Sequence, residues 1–210
     1  MNPMICAACG EWADAPRVDG SGDAAFLVCD RCGHREPFRR LPVFALTGPS
    51  GTGKSTVCRR LGPLLGDRAV VLEQDVLWVG ALRDPEDDFG AFRRTWLRLL
   101  AMLNQSGRPA VLCGTVAPPQ FERRPERALF GDVHYLALVA EDDVLRARLS
   151  ARPAWREWHD ERRVADMLAF NAWIKANADS TDAPMRLLDT SSAKVDETTA
   201  AVAKWVLDLL

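Results

Sequence analysis

Residues 48–56 read GPSGTGKST, between the apolar run VFALT at 43–47 and a segment with helical spacing. Gly48, Gly51 and Gly53 allow the backbone to turn its amides inward, as a loop must in order to surround phosphate oxygens. Lys54 would then reach the β and γ phosphates and Ser55 would offer a hydroxyl to Mg²⁺, while the helix starting there adds the positive end of its dipole. The match to GxxxxGKS is complete, and the strand, loop and helix it requires are in order. Gly48, Ser50, Gly51, Thr52, Gly53, Lys54, Ser55 and Thr56 are therefore the candidates for holding a nucleoside triphosphate with its Mg²⁺. The stretch does not tell whether the energy or the phosphate is used.

Working outward, the chain alternates. AVVL (69–72), AVLC (110–113), VHYLALV (133–139) and MRLLD (185–189) read as strands, and 86–105, 141–151 and 194–209 as helices, with a long arginine-rich helical region before the last strand. Strands separated by helix-length segments imply parallel crossovers and a sheet covered on both faces, an α/β three-layer sandwich. No repeat or low-complexity segment interrupts it.

Ligands belong at the carboxyl ends of such strands. There EQDVLW follows the second core strand, and Glu73 and Asp75, two apart, point the same way if the chain stays extended. A carboxylate here can take a proton from an acceptor hydroxyl or hold the waters of Mg²⁺; Asp75 could equally cap a helix beginning at Val76. Arg148, Arg152 and Arg156 recur every four residues, one face of a helix if Pro153 does not break it. Arginines over a triphosphate neutralise charge on the transferring group, whereas a solvated face would pair them with Glu157, Asp160 and Glu161. Trp155 and Trp158 beside them read as hinge or core packing.

The N-terminus carries a second signature: CAAC at 6–9, nineteen residues, then CDRC at 29–32. Two CxxC knuckles offer four thiolates, so Cys6, Cys9, Cys29 and Cys32 are candidate ligands of a closed structural Zn²⁺ site, with iron as the other ion and two disulfides or a redox pair as the alternatives. A glycine follows each knuckle, and AFLV (25–28) reads as a short strand leading into the second. Metal substitutes for a core that so few residues cannot build. His34 is a surface residue or a substitute ligand. Cys58 and Cys113 sit in apolar segments as ordinary thiols. The boundary is expected within REPFRRLP (35–42), kept wet by its arginines, giving a zinc ribbon over 1–38 and a larger unit over 42–210.

A formal charge of -2 and few basic residues near the ribbon do not favour a nucleic-acid partner. No apolar run approaches a membrane span, and no basic-then-apolar leader opens the chain. A cytoplasmic protein without a membrane partner is expected, with room for a protein partner of the ribbon.

Over residues 42–209 the chain resembles small P-loop kinases of the nucleoside, nucleotide and small-metabolite group, above all the gluconate, shikimate and chloramphenicol phosphotransferase branch. The resemblance rests on GPSGTGKS, the carboxylate in LEQD, LALVAEDDVLRARLSARP and LLDTSSAKVDETTAAVAKWV. It implies a five-stranded parallel sheet in order 2-3-1-4-5 and a lid over about 148–163. It further implies that Asp189, Thr190 and Ser191 border the base and that Asp75 orients the acceptor hydroxyl with Glu73 in support. Arg148, Arg152 or Arg156 would be lid arginines, and Arg83, with Arg93 or Arg94, would grip an acceptor between Val76 and Gln105. The third core strand ends CGTV, without a Walker B aspartate, so Gly114 would allow close approach of substrate and Thr115 would contact it. The implied activity is transfer of the γ-phosphoryl group of ATP to the hydroxyl of a nucleoside, nucleotide or sugar-like metabolite. The alternatives are a polynucleotide end kinase guided by the ribbon and a nucleotide-gated interaction protein.

Overall fold

In the central strand β4 (Val43–Thr47), Val43 and Ala45 enter one buried cluster and Phe44 and Leu46 another. From Val43 to Leu46 the strand is apolar at every position because both of its faces are covered. A computed structural model describes residues 2–153, 160–179 and 183–210. In chain order the strands are β1 (Arg17–Asp19), β2 (Ala25–Val28), β3 (Arg35–Phe38), β4, β5 (Val70–Glu73), β6 (Ala110–Cys113), β7 (Val133–Val139) and β8 (Met185–Asp189). The last five form a parallel sheet in order β5-β6-β4-β7-β8, the order 2-3-1-4-5 that the resemblance implies.

Helices α1 (Lys54–Leu65) and α6 (Val195–Asp208) cover one face through Val57, Leu61, Leu65, Val202 and Val206, spaced four apart as one helical stripe requires. The other face packs on α2 (Gly90–Asn104), whose Trp96, Leu97, Leu100 and Ala101 are fully buried, and on Phe121 of the short α3 (Pro119–Glu122). Helices α4 (Asp142–Ser150) and α5 (Glu161–Asn177) join through Leu145, Leu149 and Val164. Helix α2 starts four residues later than its periodicity suggests. Asp88 and Phe89 before it take φ of 46° and 56°, which no helix continues. Val76 to Val79 likewise begin no α-helix; Gln74–Leu77 form a single 3₁₀ turn.

Strands β1, β2 and β3 make a separate antiparallel sheet around the four cysteines. Of the joint expected over 35–42, the first half is strand β3. Pro37 is tolerated there since β3 is an edge strand, where a missing amide costs no ladder bond. Arg35 and Arg39 are exposed, as expected, while the second half is also stitched down. Arg39 and Gln105 exchange two hydrogen bonds, and Arg40 donates to the carbonyls of Gly20 and Phe130. Met4 and Phe38, 0% and 2% exposed, join the same buried cluster as Trp96 and Phe130. Trp12 lies under the Arg98 guanidinium at 5.2 Å, and Arg98 pairs with the buried Glu126 at 2.8 Å. Among the described residues no helix is long and apolar enough to cross a membrane.

Candidate active site

The loop after β4 passes so close to β7 that a Cβ on Gly48 would sit 2.2 Å from the Leu138 carbonyl oxygen, and its φ of 132° is open only to glycine. Gly53, at φ 97°, is the N-cap of α1 and offers no side chain to its amides, and the first turn carries no acidic residue. The helix end is thus left as an uncapped array of donors, the ordinary environment of a phosphate. Lys54 Nζ donates to the carbonyls of Gly48 (2.6 Å) and Pro49 (2.9 Å). Burial lowers its pKa to about 8, against a smaller upward pull from Asp75.

A cavity of about 220 Å³ opens above this loop. It brings together Ser50, Gly51, Gly53, Lys54, Ser55 and Thr56 with Glu73, Asp75, Gly114, Thr115 and Arg152. The chain does not stay extended past Glu73, but the 3₁₀ turn at 74–77 still brings Asp75 into the same cavity. Asp75 lies inside this turn, and no helix begins at Val76 for it to cap. Gly114 lines the cavity, and a Cβ there would lie 2.0 Å from the Gln74 side chain, so its lack of one also makes room for Gln74.

On the other side of the loop a cavity of about 190 Å³ is lined by Gly51, Thr52, Gly53, Arg148, Thr190 and Thr198. Arg148 lines this cavity and not the one that holds Lys54 and Ser55. It donates to the Thr190 carbonyl at 2.6 Å, the Thr190 hydroxyl at 3.2 Å and the Ser191 carbonyl at 3.3 Å. Asp189 turns back on its own loop, accepting from the Ser191 amide and hydroxyl, which hold its carboxyl below the usual range. Helix α4 ends at Ser150, so Arg148 and Arg152 do not share a helical face. Arg156, Trp155 and Trp158 lie outside the described residues.

A third cavity, about 710 Å³, shares Ser50, Asp75 and Thr115 with the first and extends over Trp78, Phe89, Phe92 and Arg93 to α5. Trp96 is instead wholly buried, with its indole N–H on the Gln74 carbonyl. Arg83 is exposed, its guanidinium 5.8 Å over the Trp78 ring, and Arg94 pairs with Asp87 at 3.1 Å. Of the three arginines considered for an acceptor, Arg93 alone lines this cavity. Sequence reasoning missed Arg59 in the phosphate cavity and Arg163, Asp166 and Phe170 in the third. The last three recur at helical spacing on α5, a signal that could have joined them to one face.

In the ribbon, the four Sγ atoms lie within 4.8 Å of one another, with Cys6 to Cys32 and Cys9 to Cys29 both at 3.7 Å. A tetrahedron of thiolates at the usual zinc–sulfur length of about 2.3 Å has edges of about 3.8 Å, so the residues fit Zn²⁺. Gly10 and Gly33 after the knuckles take φ of 72° and 73°, which lets their amides fold back onto the carbonyls of Cys6 and Cys29. His34 is exposed and outside the cluster.

Several solved structures share the fold. A gluconokinase from Sinorhizobium meliloti 1021 superposes with a TM-score of 0.52 at 19% identity, covering 81% of this chain and 97% of its own. A sugar kinase from Janibacter sp. HTCC2649 gives 0.51 at 18%, covering 82% and 94%. The tunicamycin resistance protein of Deinococcus radiodurans gives 0.52 at 17%, covering 80% and 96%. At such identities the likeness is one of fold. No curated protein matches this chain. The family model described as AAA domain matches residues 45–167, more than half of the chain, which therefore belongs to that family.

Proposed function

We infer that the protein is an ATP-dependent phosphotransferase acting on the hydroxyl of a small molecule. The observation that carries this reading is the position of Asp75, which lines both the cavity of Lys54 and Ser55 and the larger one beside it. A triphosphate on the loop would present its terminal phosphorus at that junction. The acceptor oxygen forms a bond to the γ phosphorus as the bond to the β–γ bridging oxygen breaks; ADP leaves with that electron pair, and the hydroxyl proton passes to the Asp75 carboxylate. Lys54 and Arg152 neutralise the phosphate oxygens, and Thr190, steadied by Arg148, borders the base. Ser55, with Glu73 and Asp75 in the same cavity, would hold Mg²⁺, and the ion would supply charge neutralisation for the transferring phosphate. The four cysteines would hold Zn²⁺ in a closed site of structural character, with a ribbon over 1–38 and a transferase unit over 42–210.

The AAA domain description also favours a second reading, ATP binding or slow hydrolysis that gates a partner. Against a polynucleotide acceptor, the ribbon arginines Arg17, Arg31 and Arg35 are each paired with a carboxylate, Asp30, Glu11 and Asp19. A screen of ADP release over nucleosides, nucleotides, sugars and sugar acids distinguishes them. The transferase predicts stimulation by one class of alcohol; a rate of ADP release that no alcohol changes would favour the gated protein.

A further inference from the structure

The cavity beyond Asp75, at about 710 Å³, falls in the size range of small-molecule sites, about 300–1,000 Å³. One wall is aromatic. The Trp78 ring lies 5.1 Å from Phe89 and 5.1 Å from Phe92, the second pair edge to face, and Phe170 of α5 also lines the space. Phe89 reaches this wall from a left-handed backbone, as does Asp88 before it, a conformation that non-glycine residues hold only when their surroundings enforce it.

Arg93 provides that enforcement. Its guanidinium donates to the Asp88 carbonyl and, at 2.5 Å, to the Asp88 carboxylate, while the Phe89 amide donates to the Asp84 carbonyl at 2.7 Å. Only 7% exposed, Arg93 pairs with Asp88 through one guanidinium nitrogen and so holds the aromatic wall in place. The ionisable side chains lining the cavity are Asp75, Asp88 and Asp166 against Arg93 and Arg163, an excess of one negative charge. Burying an anion here would add like charge in a partly desolvated space, which the surroundings oppose. Gln74 and Gln120 contribute neutral amides to the lining, suited to the polar edge of an uncharged ring.

Resting on the phosphotransferase reading, we propose that the acceptor is a ring-bearing alcohol without negative charge, its ring against Trp78, Phe89 and Phe92 and its hydroxyl toward Asp75. A sugar acid would meet Asp75, Asp88 and Asp166 against Arg163 and an Arg93 already paired with Asp88, so negative charge prevails.

The test is a binding measurement on the full chain with its nucleotide site filled by Mg·ADP, so that turnover does not enter. Uridine, uridine 5′-monophosphate, gluconate and shikimate are titrated in turn and followed by calorimetry. Uridine should bind at least about tenfold more tightly than the three anions. Trp78→Ala, a change at a 40% exposed position that spares the core, should weaken uridine by about tenfold. Asp166→Asn should narrow the gap between uridine and its monophosphate. Anions binding as well as uridine, no uridine binding at millimolar concentration, or an unchanged result in either variant would overturn the proposal. ADP release then separates the two levels: uridine that binds without stimulating it sinks the transferase reading alone, and release driven by gluconate or shikimate sinks the acceptor class alone.

Discussion

Lys54 carries a conflict that makes it measurable. Burial brings its pKa from 10.5 down to about 8, so that between those values the folded chain holds fewer protons than the unfolded one. This group's contribution to stability is therefore present above pH 10.5 and is lost as the pH falls through about 8. A bound triphosphate reverses the preference, because phosphate oxygens favour the ammonium form. Nucleotide binding should take up a proton near and above pH 8, and affinity should decline as the pH rises further. Calorimetry in two buffers of different ionisation heat reads the uptake directly; identical heats in both would show that Lys54 enters already charged.

Arg148 belongs to the scale of elements, since it ties the end of α4 to the loop between β8 and α6 through the carbonyls of Thr190 and Ser191. Charged hydrogen bonds of this kind contribute about 1.5–3 kcal/mol. Arg148→Ala should therefore weaken nucleotide binding by about tenfold or more while leaving acceptor affinity unchanged, a split that steady-state constants for the two substrates would reveal. Much at this scale was legible in the sequence. GPSGTGKST specified the loop, and the apolar runs at 110–113, 133–139 and 185–189 coincide with strands because short buried strands need no other pattern. The start of α2 was not legible, because the left-handed turn at Asp88 and Phe89 depends on Arg93 folding back on it, a contact no periodicity encodes. The split between Arg148 and Arg152 was legible in part, since Pro153 signalled a break, but not that α4 stops as early as Ser150. Strand β3 was hidden by Pro37, a residue that only its edge position excuses.

For the whole molecule, the ribbon is part of the core rather than a tethered appendage, since Met4 and Phe38 pack with Trp96 and Phe130. Phe38→Ala should cost about 3–5 kcal/mol of stability, and chelation of the metal should lower the melting temperature of the entire chain in one transition. A melt in which the larger unit is unaffected by chelation would mean that the ribbon folds apart from it. Every chemical role assigned to the larger unit converges on Asp75, which lines both the phosphate cavity and the aromatic one. The most direct measurement is acceptor-stimulated ADP release by Asp75→Asn against the unchanged protein, with ATP affinity measured alongside. The predicted result is a fall of about 10²–10⁴-fold in the stimulated rate with ATP binding retained; stimulated release at the original rate would contradict phosphoryl transfer through this carboxylate.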